Sequence, residues 1–572
     1  MHLGLPTRSV HGLPIIEHAE FGRNVPDEAM PDEDKMNLGK IYHMGKEEAA
    51  ELLLNRQAMA SHTFITGSTG TGKSNAVYHL LDEITKNGQT TFLVVEPAKG
   101  EYKNVFGNCT DVQVFGTNPR ETPLLRMNPF AFPENIHILE HIDRLVEIFN
   151  ACWPMYAAMP AVLKDAIERS YQKVGWDLRN SESEKGVFPT FFDLLDILPG
   201  VIEESHYSKD TQSDYVGALC TRVKSLTNGI YGSVLCAEDA LTDEALFDRN
   251  VIVDLSRVGS METKSLLMGI LVMKLQEYRM CSSGMNSRLR HVTVLEEAHN
   301  LLRKTSAEQS QEGANLQGKS VEMLANAIAE MRTYGEGFII ADQAPGLLDM
   351  SVIRNTNTKI ILRLPDEEDR KLVGKSAALK EAQIDELSKL PLGVAAVYQN
   401  EWPEAVLCKI EAYPMPENAV YHKPSKMPRE INAEFVFGQL AVGKELEPLS
   451  SSEMEQLKLW LKRHETVLKP EDGRYLEQVF AGGELDVAKT RKAVFDFFDG
   501  ISTVIDYCAA AEKSFTPRKE FLEQLQGQYG LKAAAADWVL NSVISMGMSL
   551  NPDAEAVEDL RTNFEQQGGR VL

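Results

Sequence analysis

Gly67-Ser68-Thr69-Gly70-Thr71-Gly72-Lys73-Ser74 is the stretch on which the reading of this chain turns. It has the spacing of a phosphate-binding loop: glycine, four residues, glycine, lysine, serine. Before it, His62-Thr63-Phe64-Ile65-Thr66 is apolar and β-branched and predicts a buried strand. After it, Asn75-Ala76-Val77-Tyr78-His79-Leu80-Leu81 predicts the first turns of a helix. Strand, glycine loop and helix, in that order, is the context the motif requires. Gly67, Gly70 and Gly72 let the backbone curl so that its N–H groups face phosphate oxygens. Lys73 is expected to reach the β- and γ-phosphates, and Ser74 to offer its hydroxyl to Mg²⁺. The helix N-terminus adds a favourable partial charge.

Outward from the loop, strands and helices alternate. Thr91–Glu96 and Val112–Phe115 read as further buried strands. Such alternation implies βαβ units and a parallel sheet. From about 133 to 245 the pattern becomes helical, with Ile138, Ile142, Leu145 and Phe149 at helical spacing. Strands return at Val251–Leu255, Val292–Leu295, Gly337–Asp342 and Lys359–Leu364, with a helix Met323–Tyr334 between two of them. Val394–Tyr398 and Ala405–Ile410 predict a closing β-hairpin. The expected fold class is α/β, a P-loop core with a helical insertion and a C-terminal helical region. Its expected divisions are an N-terminal segment 1–60 holding a short or truncated β element, a core of 61–132 and 246–412, the insertion 133–245, a proline-punctuated linker 413–430 and a helical region 431–572. Short strands are expected at Gly12–Ile16 and Leu38–Tyr42, and C-terminal helices at Met454–Arg463, Val487–Phe498, Arg518–Tyr529 and Ala533–Met546.

Bulk properties narrow the class. At 572 residues the chain exceeds one compact core, and roughly three or four domain-sized units are expected. Apolar residues make up 43% and charged residues 25%, as in an ordinary globular protein. Apolar runs fall short of a membrane span, and Met1–Pro6 lacks the pattern of a signal peptide, so no membrane partner is expected. Seven scattered cysteines without Cys-x-x-Cys spacing point to reduced thiols, a cytoplasmic location, and neither a zinc site nor a disulfide framework. The net charge of −24 repels nucleic acid in general, so any DNA contact is expected to be confined to a small basic region.

Hydrolysis needs a carboxylate for the metal and a group that orients water. Val292-Thr293-Val294-Leu295 is followed by Glu296-Glu297, two acids at the C-terminal edge of a strand, where open parallel sheets bind ligands. Glu296 is assigned to the Mg²⁺ shell and Glu297 to polarising water. Gln343, in Asp342-Gln343 at the end of the next strand, is a candidate to hydrogen-bond the γ-phosphate. Arg332, Arg354 and Arg363 are candidates to reach across a subunit boundary and stabilise the transferring phosphoryl group. Ser74 and Glu296 stand 222 residues apart, a long interval that the helical insertion fills.

With these residues in place the chain resembles the HerA-type ATPases of the HerA/FtsK superfamily. The resemblance rests on Gly67–Ser74, Glu96–Tyr102, Asn128-Pro129-Phe130, Glu296–Asn300, Arg332–Gly335 and Asp342-Gln343, and it spans roughly residues 60 to 410. It implies a RecA-like core, a homo-hexameric ring, Mg-ATP hydrolysis at subunit boundaries and a central channel for double-stranded DNA. It implies Arg332 as the trans-acting arginine and Gln343 as the sensor. Relatives of this type are DNA translocases that pair with nucleases; others are ATPase subunits of bacterial anti-phage systems, paired with nuclease or NAD-degrading effectors. The loop Lys304–Ser320 is a candidate channel lining. Two features depart from the pattern: only about 60 residues precede the phosphate loop, where the family usually has a β-barrel, and the C-terminal region matches none of its elements. An ATPase scaffold that gates an effector without moving DNA, and a conjugation or secretion ATPase, are alternative readings.

Overall fold

A computed structural model describes residues 18–25, 30–156, 158–183, 187–237, 240–305, 316–415, 419–424, 449, 454, 469–481, 483–511, 516–529, 531, 533–551 and 553–571. Contacts divide the chain into two units, Met1–Asn108 with Val112–Lys423, and Pro424–Leu572 with Cys109–Asp111.

The strands in chain order are β1 (Lys35–His43), β2 (Lys46–Asn55), β3 (Thr63–Thr66), β4 (Thr91–Glu96), β5 (Val112–Gly116), the two-residue pair β6 (Trp176–Asp177) and β7 (Glu182–Ser183), β8 (Asn250–Asp254), β9 (His291–Glu296), β10 (Glu336–Asp342), β11 (Thr358–Ile361), β12 (Val394–Gln399) and β13 (Val406–Ile410). Eleven of them form one sheet in the order β2-β1-β13-β12-β11-β3-β10-β9-β4-β8-β5. From β11 to β5 every neighbour is parallel; from β2 to β11 every neighbour is antiparallel.

The parallel strands are buried on both faces, which is why they read as continuous apolar runs. Side chains alternate between the faces. Leu93, Val95, Phe338 and Ile340 join one core, with Ile142, Leu145 and Phe149 of the helix Ile138–Cys152. Phe92, Val94, Ile339 and Ala341 join the other, with Val77, Leu80 and Leu81 of the helix Lys73–Thr85. Between β5 and β8 lies a run of helices from Ile138 to Phe247, and it covers the first face.

The N-terminal segment holds more strand than expected. The expected short strand Leu38–Tyr42 is the middle of β1, which forms a long hairpin with β2 and pairs with β13, so the main sheet includes residues before 60. The hairpin turns on Met44 and Gly45, with φ of 48° and 79°, the paired positive values of a tight primed turn. β2 carries Glu47, Glu48 and Glu51 and forms the sheet edge, where charge discourages further pairing. The Gly12–Ile16 strand, the Met454–Arg463 helix beyond Met454, and the 416–418 and 425–430 parts of the linker lie outside the described residues. The second unit has its own core, formed by Leu476, Phe480, Val494, Phe497, Val539 and Phe564 among others. Its helices are Pro470–Phe480, Val487–Phe497, Gly500–Ala511, Pro517–Tyr529, Ala533–Leu550 and Ala554–Gln566. All seven cysteines are free thiols. Among the described residues no helix is long and apolar enough to cross a membrane.

Candidate nucleotide site

The site follows from strand order and register. β3, which runs into the glycine loop, is separated by β10 alone from β9, which ends at Glu296. Asp342 stands opposite Thr66, and Ala341 opposite Glu296. The loop, Glu296-Glu297 and Asp342-Gln343 therefore meet at one C-terminal edge of the sheet, where ligands of such sheets bind.

The loop is held from beneath. Gly70 and Gly72 have φ of 75° and 105°, a conformation that side-chain-bearing residues rarely adopt. The N–H of Ser68 donates to the Arg363 carbonyl at 3.0 Å, and the Gly393 N–H donates to the Thr71 carbonyl at 3.0 Å. This explains why β11 stops at Ile361 rather than at Leu364: the chain turns to brace the loop.

Lys73 opens the helix and is 8% exposed. Its Nζ lies 3.2 Å from Glu296 Oε2 and 3.4 Å from Glu297 Oε1. Burial works against the ammonium, but the two carboxylates outweigh it and hold its pKa above the ordinary lysine value. Glu297 sits in the left-handed region, with φ 44° and ψ 52°. Gln343 bridges the two halves of the site: its Nε2 donates to Glu297 Oε1, and its Oε1 accepts the Thr69 hydroxyl at 2.7 Å. Carboxylates at Glu296 and Glu297 and the Ser74 hydroxyl are hard oxygen donors, the set that suits Mg²⁺. With the curled glycine backbone and Lys73, these residues fit a metal-bound triphosphate.

Three groups at this edge were given no role by the sequence. The His299 N–H donates to Asp342 Oδ2 at 2.8 Å, and His299 Nδ1 lies 2.9 Å from the same oxygen. That hydrogen bond raises the histidine pKa. Nδ1 is also 3.6 Å from Glu297 Oε2. Ligand atoms of Glu297, His299 and Asp342 lie within 4.8 Å of one another, close enough to hold a cation. The third group is Tyr102, whose hydroxyl donates to Glu296 Oε1 at 2.6 Å. The sequence signal for all three was adjacency to a motif, which does not by itself say which side chains meet.

Arg332 is elsewhere. It lies in the turn Met331–Tyr334 just before β10 and is exposed at the N-terminal edge of the parallel strands. There it lines a cleft of about 570 Å³ with Arg354, Ser61, Asn326, Asn357 and Asn400. Ser61 precedes β3 and Asn357 precedes β11, so the cleft and the phosphate loop occupy opposite edges of the sheet. The expected channel loop Lys304–Ser320 falls largely outside the described residues, which omit 306–315.

The chain is similar to known proteins over much of its length. Residues 36–273 match the family model of the central domain of helicase HerA. A probable helicase of Methanocaldococcus jannaschii is 22% identical over 436 residues, covering 70% of this chain and 76% of that protein. The DNA double-strand break repair helicase HerA of Sulfolobus acidocaldarius is 25% identical over 393 residues, covering 66% and 69%. The structure of VirB4 of Thermoanaerobacter pseudethanolicus superposes with a TM-score of 0.51 at 19% identity, covering 67% of this chain and 98% of that one, a likeness of fold. Over residues 36–273 the chain is similar to the central domain of helicase HerA, and it is a P-loop ATP hydrolase.

Proposed function

We propose that this ATPase acts on DNA as a hexameric ring, hydrolysing Mg-ATP between subunits to translocate along or unwind the duplex, with a nuclease or NAD-degrading effector as partner. Action on DNA follows the helicases it resembles. The ring is supported by one observation above the rest. The loop, both acids and Gln343 share one edge of the sheet, whereas Arg332 stands exposed at the other. An arginine there is useless to its own loop and available to that of a neighbour. A ring built from one repeated head-to-tail contact sets one surface of each copy against a different surface of the next.

In this reading Lys73 and the loop N–H groups hold the phosphates, Ser74 and Glu296 hold Mg²⁺, and Glu297 polarises the attacking water. Gln343 reports the γ-phosphate to Glu297, which it already contacts. The ion supplies charge neutralisation of the β- and γ-oxygens. Lys73→Ala and Arg332→Ala are each expected to lack turnover. Mixed in equal amounts and allowed to exchange subunits, they pair an intact loop with an intact arginine at about a quarter of the boundaries. Activity is expected to return to that order. If the mixture stays as inactive as its parents, the site is not shared.

A second reading, an ATPase scaffold that gates an effector without moving DNA, is favoured by the separate C-terminal unit. Its helix Gly500–Ala511 exposes Ile501 and Ile505 one turn apart. Turnover that duplex DNA fails to stimulate at any salt concentration would select it.

A further inference from the structure

The segment Glu96-Pro97-Ala98-Lys99-Gly100-Glu101-Tyr102 carries family resemblance but has no part in the mechanism above. We propose that it is a strut ending in Tyr102, and that Tyr102 is a positioning residue that orients the Glu296 carboxylate for Mg²⁺.

The strut begins one strand away from Glu296. β4 lies beside β9, with Val95 opposite Leu295, so Glu96 and Glu296 end adjacent strands. The Glu96 carboxylate folds the following loop back on itself, accepting the Glu101 N–H at 2.8 Å and the Tyr102 N–H at 3.1 Å. This fixes the backbone of Tyr102 at the start of the helix Tyr102–Phe106. The side chain is 2% exposed. Tyr78 of the helix that follows the phosphate loop meets its ring edge-on, with centroids 4.9 Å apart. Held from both sides, the hydroxyl reaches Glu296 Oε1 at 2.6 Å.

Each oxygen of Glu296 thus has its own donor, Tyr102 on Oε1 and Lys73 on Oε2. The two donors are not equivalent. Lys73 is needed by the triphosphate, and when it turns to the phosphates Tyr102 is the donor that still fixes the carboxylate. A phenol is neutral near pH 7 and a carboxylate can only accept, so the hydroxyl is the donor in this contact. A phenylalanine would fill the same space and leave Oε1 without a partner. A hydrogen bond to a charged, buried group is among the stronger ones.

The proposal rests on the reading of Glu296 as the metal carboxylate, and the test separates the two. In the full-length protein, ATP turnover is measured against Mg²⁺ concentration at saturating ATP. Tyr102→Phe is expected to raise the half-saturating Mg²⁺ about tenfold, with kcat at saturating Mg²⁺ within about threefold of the parent. Binding of a fluorescent ATP analogue in EDTA should be unchanged, because Lys73 and the loop are intact. An unchanged Mg²⁺ requirement overturns the proposal, as does equal loss of metal-free nucleotide binding, which would make Tyr102 a purely structural residue. Glu296→Gln is run beside it: a normal Mg²⁺ response in that variant removes the underlying reading instead. If Tyr102→Phe does not fold, Tyr102→Met, which fills the space without a hydroxyl, repeats the measurement. Failure of both to fold would assign the side chain to stability alone and also overturn the proposal.

Discussion

Glu297 is the residue at which conformation and chemistry are hardest to separate. A side-chain-bearing residue in the left-handed region costs on the order of 1–2 kcal/mol, and such positions persist when the surroundings hold them. Here the surroundings are visible: its carbonyl accepts the Asn300 N–H at 2.9 Å and the Asn300 side-chain amide at 2.7 Å. Its carboxylate meets Gln343, Lys73 and His299. The bend turns the second acid away from the strand direction, so that Glu296 and Glu297 both face Lys73 although alternation along a strand would part them. Glu297→Gln preserves shape and the Gln343 contact but cannot take a proton from water. Turnover is expected to fall by about 10²–10⁴-fold, with nucleotide affinity within a few-fold of the parent. Single-turnover kinetics with tight-binding measurements check both halves, and a normal rate would move the water-polarising role to another group. The positions of the motif acids and Gln343 at strand ends, and of Lys73 at the start of the helix after the loop, were legible in the sequence because motif spacing places them. Tyr102 and His299 were not, because their roles arise from contacts with Glu296 and Asp342, set by strand order rather than by spacing.

At the scale of elements, the two strands that end at Glu296 and Asp342 are locked at their other ends by buried charge. Glu336 begins β10 and is fully buried. It meets His291 Nδ1 at 2.7 Å, accepts the Thr293 hydroxyl at 2.8 Å and pairs with Arg279 Nε at 2.9 Å. Arg279, itself fully buried in the helix Met261–Ser282, also pairs with Asp248 at 2.7 Å. The network ties β9, β10, that helix and the approach to β8 together, so the spacing of Glu296 and Gln343 at the far end is set by rigid strands. Burial alone would raise the Glu336 pKa, but His291 and Arg279 outweigh it and bring it down to about 2. The native value lies below the unfolded one. The resulting stability is therefore present above pH 4.5, the ordinary value for this carboxyl, and is lost as pH falls toward 2. Glu336→Gln is expected to cost about 3 kcal/mol at neutral pH by leaving Arg279 short of a partner. It should also flatten the acid limb of the stability curve. Urea unfolding from pH 7 down to pH 3 checks this; parallel curves for parent and variant would mean that Glu336 does not supply the pH dependence. The sequence concealed this network and the β1–β2 hairpin for different reasons. The network needs residues from three elements, and the Glu- and Ala-rich β2 is a strand by virtue of its turn and its pairing with β1, against its own propensity.

At the scale of the molecule, every residue assigned to the nucleotide site belongs to the first unit, and the hydrophobic cores respect the same division. The buried residues of the two cores on either face of the sheet run from Phe21 to Ile410, whereas Leu449 and later residues form a third core of their own. Separate cores predict separate cooperative transitions. Scanning calorimetry of the full chain is expected to show two, and only one should respond to Mg²⁺ with a non-hydrolysable ATP analogue. Binding to the native form alone stabilises it by about 2.7 kcal/mol at a ligand concentration 100 times Kd, and a unit that contributes no site residue gains none of it. Lys73→Ala should remove the shift and leave the other transition where it was. A single transition, or two that move together with nucleotide, would mean that the C-terminal unit is energetically part of the ATPase. Nucleotide state would then reach those helices directly, the coupling that an effector-gating role would need.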